Sequence, residues 1–558
     1  MKKARVLDFV SYSSTNVPPA KTGTWRRVTP SFQNRVSPCT DFCPCGENIP
    51  VWMDLVAKRK FEAAWRELTK ENPFPLICGR VCYRFCEKEC NRTTFDDRLS
   101  INAVERFLGE YAAMHDLHPL ISTDPALGKV TVAVIGGGPA GLSAAHFLAR
   151  AGCSVALFDE GDELGGVLRY GIPQYRMPKD LLRKEIATMV TGLGVRVFPY
   201  CHANKEFLAF ARREYNYIVV ALGAHQERKL FGVDYNDRLT EGGLRFLSKI
   251  SSGKLSRLPE RMKHVCVVGG GNTAIDVSRS ALRLGAEKVT VIYRRTENEM
   301  PAHRDEVEVA KREGVEFVFL TAPVAVAREE SGRIVIGCVR MELGEADESG
   351  RRSVSEVDGS AHQIGCDLTI SAIGEDSDVD AMFPETYHFE TEEDVYDGKV
   401  ICVGDALYGP RSVSEAVASG KKAAQVIIGK ATGTSRDVVP REVVGTKEIK
   451  FYYLNKRRKD PRILNEKKLC PAEFRSFAET TRTISQEMAA MEASRCINCG
   501  TCVACDRCRN FCPDYAITQG ADGKYSIDLD YCKGCGLCAE VCERSAILFG
   551  KEGIHVQE

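Results

Sequence analysis

The sequence predicts a multidomain α/β chain. A helical, cysteine-rich N-terminal domain is followed by two Rossmann-like dinucleotide-binding domains, the second inserted in the first, and by a small α+β domain at the C-terminus. Three observations predict this. Two strand–glycine loop–helix signatures lie in the middle of the chain, a further strand-turn-helix near residue 400 returns to the first of them, and the cysteines gather at both ends. Of 24 cysteines, seven fall between Cys39 and Cys90 and ten between Cys496 and Cys542.

Composition sets the limits. A length of 558 residues suits roughly three or four domains. Lys+Arg and Asp+Glu both number 76, and this zero formal charge argues against nucleic acid as a partner. No apolar run approaches a membrane span, and the opening MKKARVLDFVSYSS lacks an apolar signal core. A cytoplasmic chain without membrane insertion is expected, and clustered thiols in such a chain bind metal rather than pair as disulfides.

The stretch VTVAVIGGGPAGLSAAHFLARAGCSVALFDE is a buried strand, then Gly136-x-Gly138-x-x-Gly141, an amphipathic helix and a second strand ending at Asp159. The glycines allow the tight turn, the close approach of backbone to pyrophosphate and the close helix–strand packing, and the acid suits ribose hydroxyls. KVICVGDALYGPRSVSEAVASGKKAA ends a strand at Gly404-Asp405 and opens a helix. It resembles the second flavin motif of two-dinucleotide flavoproteins. FAD is expected on Gly136, Gly138, Gly141, Asp159, Gly166, Gly404 and Asp405.

HVCVVGGGNTAIDVSRSALRLGAEKVTVIYRR repeats the signature as Gly269-x-Gly271-x-x-Ala274. Where an NAD site carries a carboxylate, this chain has Arg294 and Arg295. Guanidinium groups suit a 2′-phosphate, so NADP(H) is favoured over NAD(H). The segments ALGA (221–224) and SAIG (371–374) mark the crossings between the two domains. The expected division is 1–125 helical iron–sulfur, 126–257 FAD, 258–370 NAD(P), 371–435 FAD again, 436–490 a basic surface-wrapping linker and 491–558 the tail domain.

In the tail, Cys502-x2-Cys505-x2-Cys508-x3-Cys512-Pro513 precedes Cys532-x2-Cys535-x2-Cys538-x3-Cys542. This is the spacing of a two-[4Fe–4S] ferredoxin-type domain, in which the fourth cysteine of each run ligates the other cluster. Cys502, Cys505, Cys508 and Cys542 are assigned to one cluster, and Cys532, Cys535, Cys538 and Cys512 to the other. Zinc is the alternative, but a zinc ribbon has no use for the doubled spacing. Cys496 and Cys499 lack a partner at the x3 step and read as free thiols in an approach loop.

The order CP-x-G-x-x-IP, NPFP, GRVC-x3-C-x3-C, GGGPAG, LRYGIPQYRMP, GGGNTAID and YRR-x3-EMPA resembles the glutamate synthase small (β) subunit family. It is also similar to the N-terminal half of dihydropyrimidine dehydrogenase and to the large subunit of NADH-dependent ferredoxin:NADP oxidoreductases. The resemblance spans roughly residues 35–430. It implies two N-terminal [4Fe–4S] clusters. Cys43, Cys82, Cys86 and Glu105 match one of them, Glu105 being otherwise an ordinary exposed helical glutamate. The second would use Cys39 and Cys90 with two cysteines before Cys39, where SFQNRVSP has none. That cluster is either absent or rebuilt from Cys45 and Cys78, and the expected total is three clusters.

The expected activity is NAD(P)H oxidation, or NADP+ reduction, coupled through FAD and clusters to a partner. The partner is ferredoxin or a separate redox subunit, of oxoacid oxidoreductase or amidotransferase type. Only about sixty residues separate the flavin domain from the tail, too few for a substrate barrel of roughly 250 residues. No acid–base dyad is needed where cofactors carry the chemistry. The rivals are a glutamate synthase small subunit, against which the ferredoxin-type tail counts, and a non-catalytic electron-relay scaffold.

Overall fold

The computed structural model describes residues 21–230, 240–330, 332–346, 352–377, 379, 395–396, 398–434, 442–454, 459–467, 473–521 and 523–551. Two parallel sheets form its centre. The first runs Val395–Tyr396, Val400–Cys402, Tyr217–Val220, Thr131–Ile135, Ser154–Phe158, Arg196–Phe198, parallel except at the Val395 edge. Its central strand is buried from Val132 to Ile135, as an uninterrupted apolar strand covered on both faces should be. The helix Pro139–Ala151 follows, opened by its proline and closed at Gly152 with φ +108°. A second helix, Val413–Thr432, starts from a Ser412–Glu415 capping box and crosses the first closely. A Cβ on Gly420 would strike the Ala140 carbonyl oxygen, so the crossing needs glycine there.

The second sheet runs Glu316–Val318, Lys288–Ile292, His264–Val268, Leu368–Ser371, Thr240–Gly242, all parallel. Thr240–Gly242 pairs with Leu368–Ser371, so this domain takes in residues well before 258 and keeps Ser371. A three-residue strand is too short to carry a readable alternation. An antiparallel sheet of Thr321–Arg328, Ile334–Ala346, Arg352–Glu356 and His362–Cys366 belongs to the same insertion. The crossings pair with each other as an antiparallel ribbon, Ala224–Glu227 against Glu375–Ser377.

In the N-terminal domain the helix Pro75–Val81 lies across Ile101–Met114. A Cβ on Gly109 would sit 2.5 Å from the Leu76 amide nitrogen and 2.6 Å from its Cα. That contact fixes Cys82, the C-cap of one helix, relative to Glu105 on the other. Glu185, from the flavin domain, accepts the Leu76 and Ile77 amides at 2.8 Å each, two donors the helix start leaves unpaired.

The chain ends meet. Val28–Phe32 pairs antiparallel with Ile547–Lys551, Pro30 opposite Phe549. Between flavin domain and tail, Glu479 binds both Arg80 and Arg106 at 2.8 Å, and Arg283 donates to the Ser476 carbonyl at 3.0 Å. The described parts of this segment therefore lie against both the helical and the second dinucleotide domain, while residues 455–458 of its basic run fall outside the described residues. Among the described residues no helix is long and apolar enough to cross a membrane.

Candidate functional site

The first glycine loop is built for a backbone approach. Gly136 has φ +106°, and a Cβ there would strike the Ala221 carbonyl; one on Gly141 would strike the Gly136 carbonyl. Gly138 faces open space, with nothing within 4 Å of where a Cβ would be. Gly166, at φ +51°, folds back over the loop so that its Cβ would lie 2.9 Å from Gly138 Cα. The Asp159 carboxylate accepts the Gly137 amide at 2.6 Å and the Gly161 amide at 2.8 Å, which holds the acid at the mouth of the loop. Gly404, at φ +67°, comes against Ala140, so the second motif reaches the first. Burial pushes the neighbouring Asp405 carboxyl up to about 6, and Arg411 donates its amide to it at 3.1 Å. A bare cradle at Gly138 beside two glycine turns and a helix start fits a dinucleotide pyrophosphate.

The second loop opens on a cavity of about 490 Å³ lined by Gly269, Gly271, Thr273, Arg294, Gly374 and Glu375, among others. Gly271 again leaves open space, and Ala274 is buried beneath it. The two arginines part company here. Arg294 is on the cavity wall. Arg295 is buried, donates Nε to the Arg352 carbonyl at 2.8 Å and leaves Nη1 without a partner. An unpaired buried guanidinium nitrogen next to a cavity arginine fits an anionic phosphate. Glu375, not singled out by the sequence, stands on the wall between the two cradles. Burial, then the nearby Glu227 and Asp405, push its carboxyl up to about 7.

At the N-terminal end Cys43, Cys82, Cys86 and Glu105 line one small cavity, together with Cys45, Cys78, Glu47 and Asn72. Glu105 is only 5% exposed, which removes the reading of it as an exposed helical residue. Its carboxylate and that of Glu47 both accept from Asn72 at 2.9 Å. Burial raises Glu105 well above the usual carboxylate range, with Glu47 and Cys43 adding to it. Burial therefore favours the neutral acid, and the positive core of a cluster beside it would favour the ionised, ligating form. Cys45 and Cys78 belong to this cavity, so they are not placed to rebuild a site at Cys39 and Cys90.

In the tail, Cys512 lines a cavity with Cys532, Cys535 and Cys538. Cys502, Cys505 and Cys542 are the thiols acting on Cys508, raising it beyond the effect of burial. The fourth cysteine of each run therefore stands with the other run. Cys496 and Cys499 are half-buried, in a segment that Arg495 and Asn498 tie to the N-terminal domain.

Two dinucleotide cradles flanked by thiol sites at both ends define an FAD- and NAD(P)-dependent iron–sulfur oxidoreductase. Residues 130–420 match the pyridine nucleotide-disulphide oxidoreductase family, residues 31–117 the 4Fe-4S domain II of dihydropyrimidine dehydrogenase, and residues 501–546 a 4Fe-4S dicluster domain. The chain belongs to this pyridine nucleotide-disulphide oxidoreductase family, in a branch carrying 4Fe-4S domains. It is 31% identical over 542 residues to the NADPH-Fe(3+) oxidoreductase subunit beta of Geobacter sulfurreducens, covering 88% of this chain and 78% of that one. It is 32% identical over 416 residues to the glutamate synthase [NADPH] small chain of Azospirillum brasilense, covering 70% and 85%. With the NADP(+)-dependent formate dehydrogenase subunit beta of Moorella thermoacetica it shares 35% over 421 residues, covering 70% and 59%.

Proposed function

We propose that the chain is the nucleotide-facing subunit of a larger cytoplasmic redox enzyme. NADPH occupies the cavity at Gly269–Gly271, and a partner subunit carries the terminal substrate. The observation that carries this reading is Ser414. It lies in the first turn of the helix that follows the Gly404-Asp405 motif, accepts from the Cys45 thiol through its carbonyl at 3.5 Å, and accepts from the Cys82 thiol through its hydroxyl at 3.7 Å. The flavin cradle and the first thiol site thus share one helix start.

Tyr83, next to Cys82, accepts the Asn272 side-chain amide at 2.7 Å, and Asn272 opens the helix of the nucleotide cradle. Its phenol also lies within the field of Asp405, although burial is the larger influence raising it. Nucleotide cradle, flavin cradle and thiols converge around this side chain. Bound FAD supplies the exchange between hydride and single electrons, and bound [4Fe–4S] clusters supply single-electron carriage. The residues hold and orient. Gly136, Gly138, Gly141, Asp159, Gly166, Gly404 and Asp405 seat FAD; Gly269, Gly271, Ala274, Arg294 and Arg295 seat NADP(H). Cys43, Cys82, Cys86 and Glu105 hold one cluster, and the crossed tail sets hold two more. The same residues serve NADP+ reduction.

Relatives named as subunits support a partner, and the complete cradles count against a scaffold. The test is anaerobic NADPH oxidation with a one-electron dye as acceptor. The reading requires about two dye molecules reduced per NADPH, because a hydride carries an electron pair. Purified chain that binds NADPH and reduces no dye would be a scaffold.

A further inference from the structure

Cys496 and Cys499 lie outside both matched iron–sulfur regions, 31–117 and 501–546. Their loop is pinned onto the N-terminal domain. The Arg92 guanidinium donates to the Arg495 carbonyl, Arg495 donates to the Asp97 carbonyl at 2.7 Å, and Asn498 donates to the Pro50 carbonyl at 2.8 Å. The Arg35 amide donates to the Gly500 carbonyl at 3.0 Å. Gly500 has φ +72°, and a Cβ there would lie 2.7 Å from the Arg35 carbonyl oxygen, so only glycine permits this docking. The result puts Cys496 and Cys39 against the core that buries Cys90, while Asn91 donates to Cys499 Sγ at 3.6 Å.

A local signature sets Cys496 apart from an ordinary thiol. Two residues on, Asn498 has φ +56° and turns its amide back to the sulfur at 3.4 Å. Arg84 does the same for Cys82, with φ +60° and 3.4 Å. Ala504 after Cys502 and Gly534 after Cys532 also have positive φ, and their amides also bond the sulfur. A left-handed residue at this position aims an N–H at the sulfur and favours the thiolate. Among the described residues the other three cysteines with this geometry are all expected cluster ligands.

Cys90 is buried and Cys39, Cys496 and Cys499 are half-buried, so the four thiols gather where the two chain ends meet. Among the described residues no three thiol, imidazole or carboxylate groups close on one point as around a single bare ion; a cube takes one sulfur at each iron corner instead.

We propose that Cys39, Cys90, Cys496 and Cys499 hold a fourth [4Fe–4S] cluster, two ligands coming from each end of the chain. It replaces the pair missing before Cys39 with a pair from the tail. Cys39 packs against the same core that buries Cys86 of the first site. Cys499 stands three residues before Cys502, at most about 11 Å along the backbone, and the Gly500 amide donates at 2.7 Å to the carbonyl of Arg544, whose guanidinium reaches Cys505 at 3.8 Å. The site therefore lies between the first thiol site and the tail pair. It rests on the proposed function only for what passes through it.

The test is iron and sulfide content, with EPR of the dithionite-reduced protein, on anaerobically purified full-length chain. The expected wild-type value is about sixteen irons, four per cube; about twelve overturns the proposal whatever any variant does. Cys499→Ala and, from the other end, Cys39→Ala should each lose about four irons and the same EPR signal. The double variant Cys45→Ala/Cys78→Ala should keep every signal of the second site. Should Cys39→Ala and Cys499→Ala remove different signals, or neither remove any, the shared site is wrong. Flavin bleaching by NADPH, measured on the same samples, reports the proposed function separately, so either idea can fail alone.

Discussion

Cys512, the last cysteine of its own run, faces Cys538 of the other run across one small cavity and raises its thiol, after burial and the nearer Cys532 and Cys535. Cys512→Ala should therefore damage the cluster of the downstream run. Cys505→Ala should damage the other. EPR of the two reduced variants checks this: each should lose a different signal, and loss of the same signal in both would mean a local four-cysteine site.

The close crossing at Gly109 gives a second prediction. An added methyl would meet the Leu76 backbone at 2.5–2.6 Å, and backbone cannot yield as a side-chain tip would. Gly109→Ala should cost about 1–3 kcal/mol as overpacking. It should also push Cys82 away from Glu105, lowering iron content while the tail signals persist. Thermal unfolding and iron assay on one preparation measure both effects.

The tail runs and the glycine loops are local, each complete within a few dozen residues, so spacing alone revealed them. The Cys39–Cys90–Cys496–Cys499 grouping and the pairing of Val28–Phe32 with Ile547–Lys551 join the two ends of the chain. No local period encodes them. Thr240–Gly242 escaped because three residues give no alternation, and Glu375 because a wall between two cradles exists only once the crossing ribbon has formed.

Nucleotide choice should divide unequally between the arginines. Arg294 lines the cavity, whereas Arg295 is buried with its Nε on Arg352. Arg294→Ala should reduce NADPH-over-NADH preference roughly tenfold to a hundredfold, the value of a charge-assisted contact. Arg295→Ala should also lower preference, and additionally destabilise the fold by releasing the Arg352 carbonyl. Kd values for both nucleotides, with melting curves, separate the two roles. An unchanged preference in both variants would refute the phosphate assignment.

Glu375 predicts a pH effect. Burial first, then Glu227 and Asp405, raise its folded-state value from 4.5 to about 7. Between those values the native state holds a proton that the unfolded state has lost, so this group's contribution to stability is full below pH 4.5 and declines as pH rises through about 7. Glu375→Gln should flatten that decline. Denaturant midpoints across the window measure it, and equal slopes for variant and wild type would contradict the burial of this carboxyl.

The central claim is that reducing equivalents pass from NADPH through the flavin cradle to the thiol sites that share the Ser414 helix start. Rapid anaerobic mixing with NADPH, following flavin absorbance and freeze-quenched cluster EPR together, tests it most directly. The account predicts that flavin bleaching comes first and cluster signals follow, with NADH acting more weakly. Cluster signals that appear while the flavin stays oxidised, or a flavin that NADPH leaves unbleached, would contradict it.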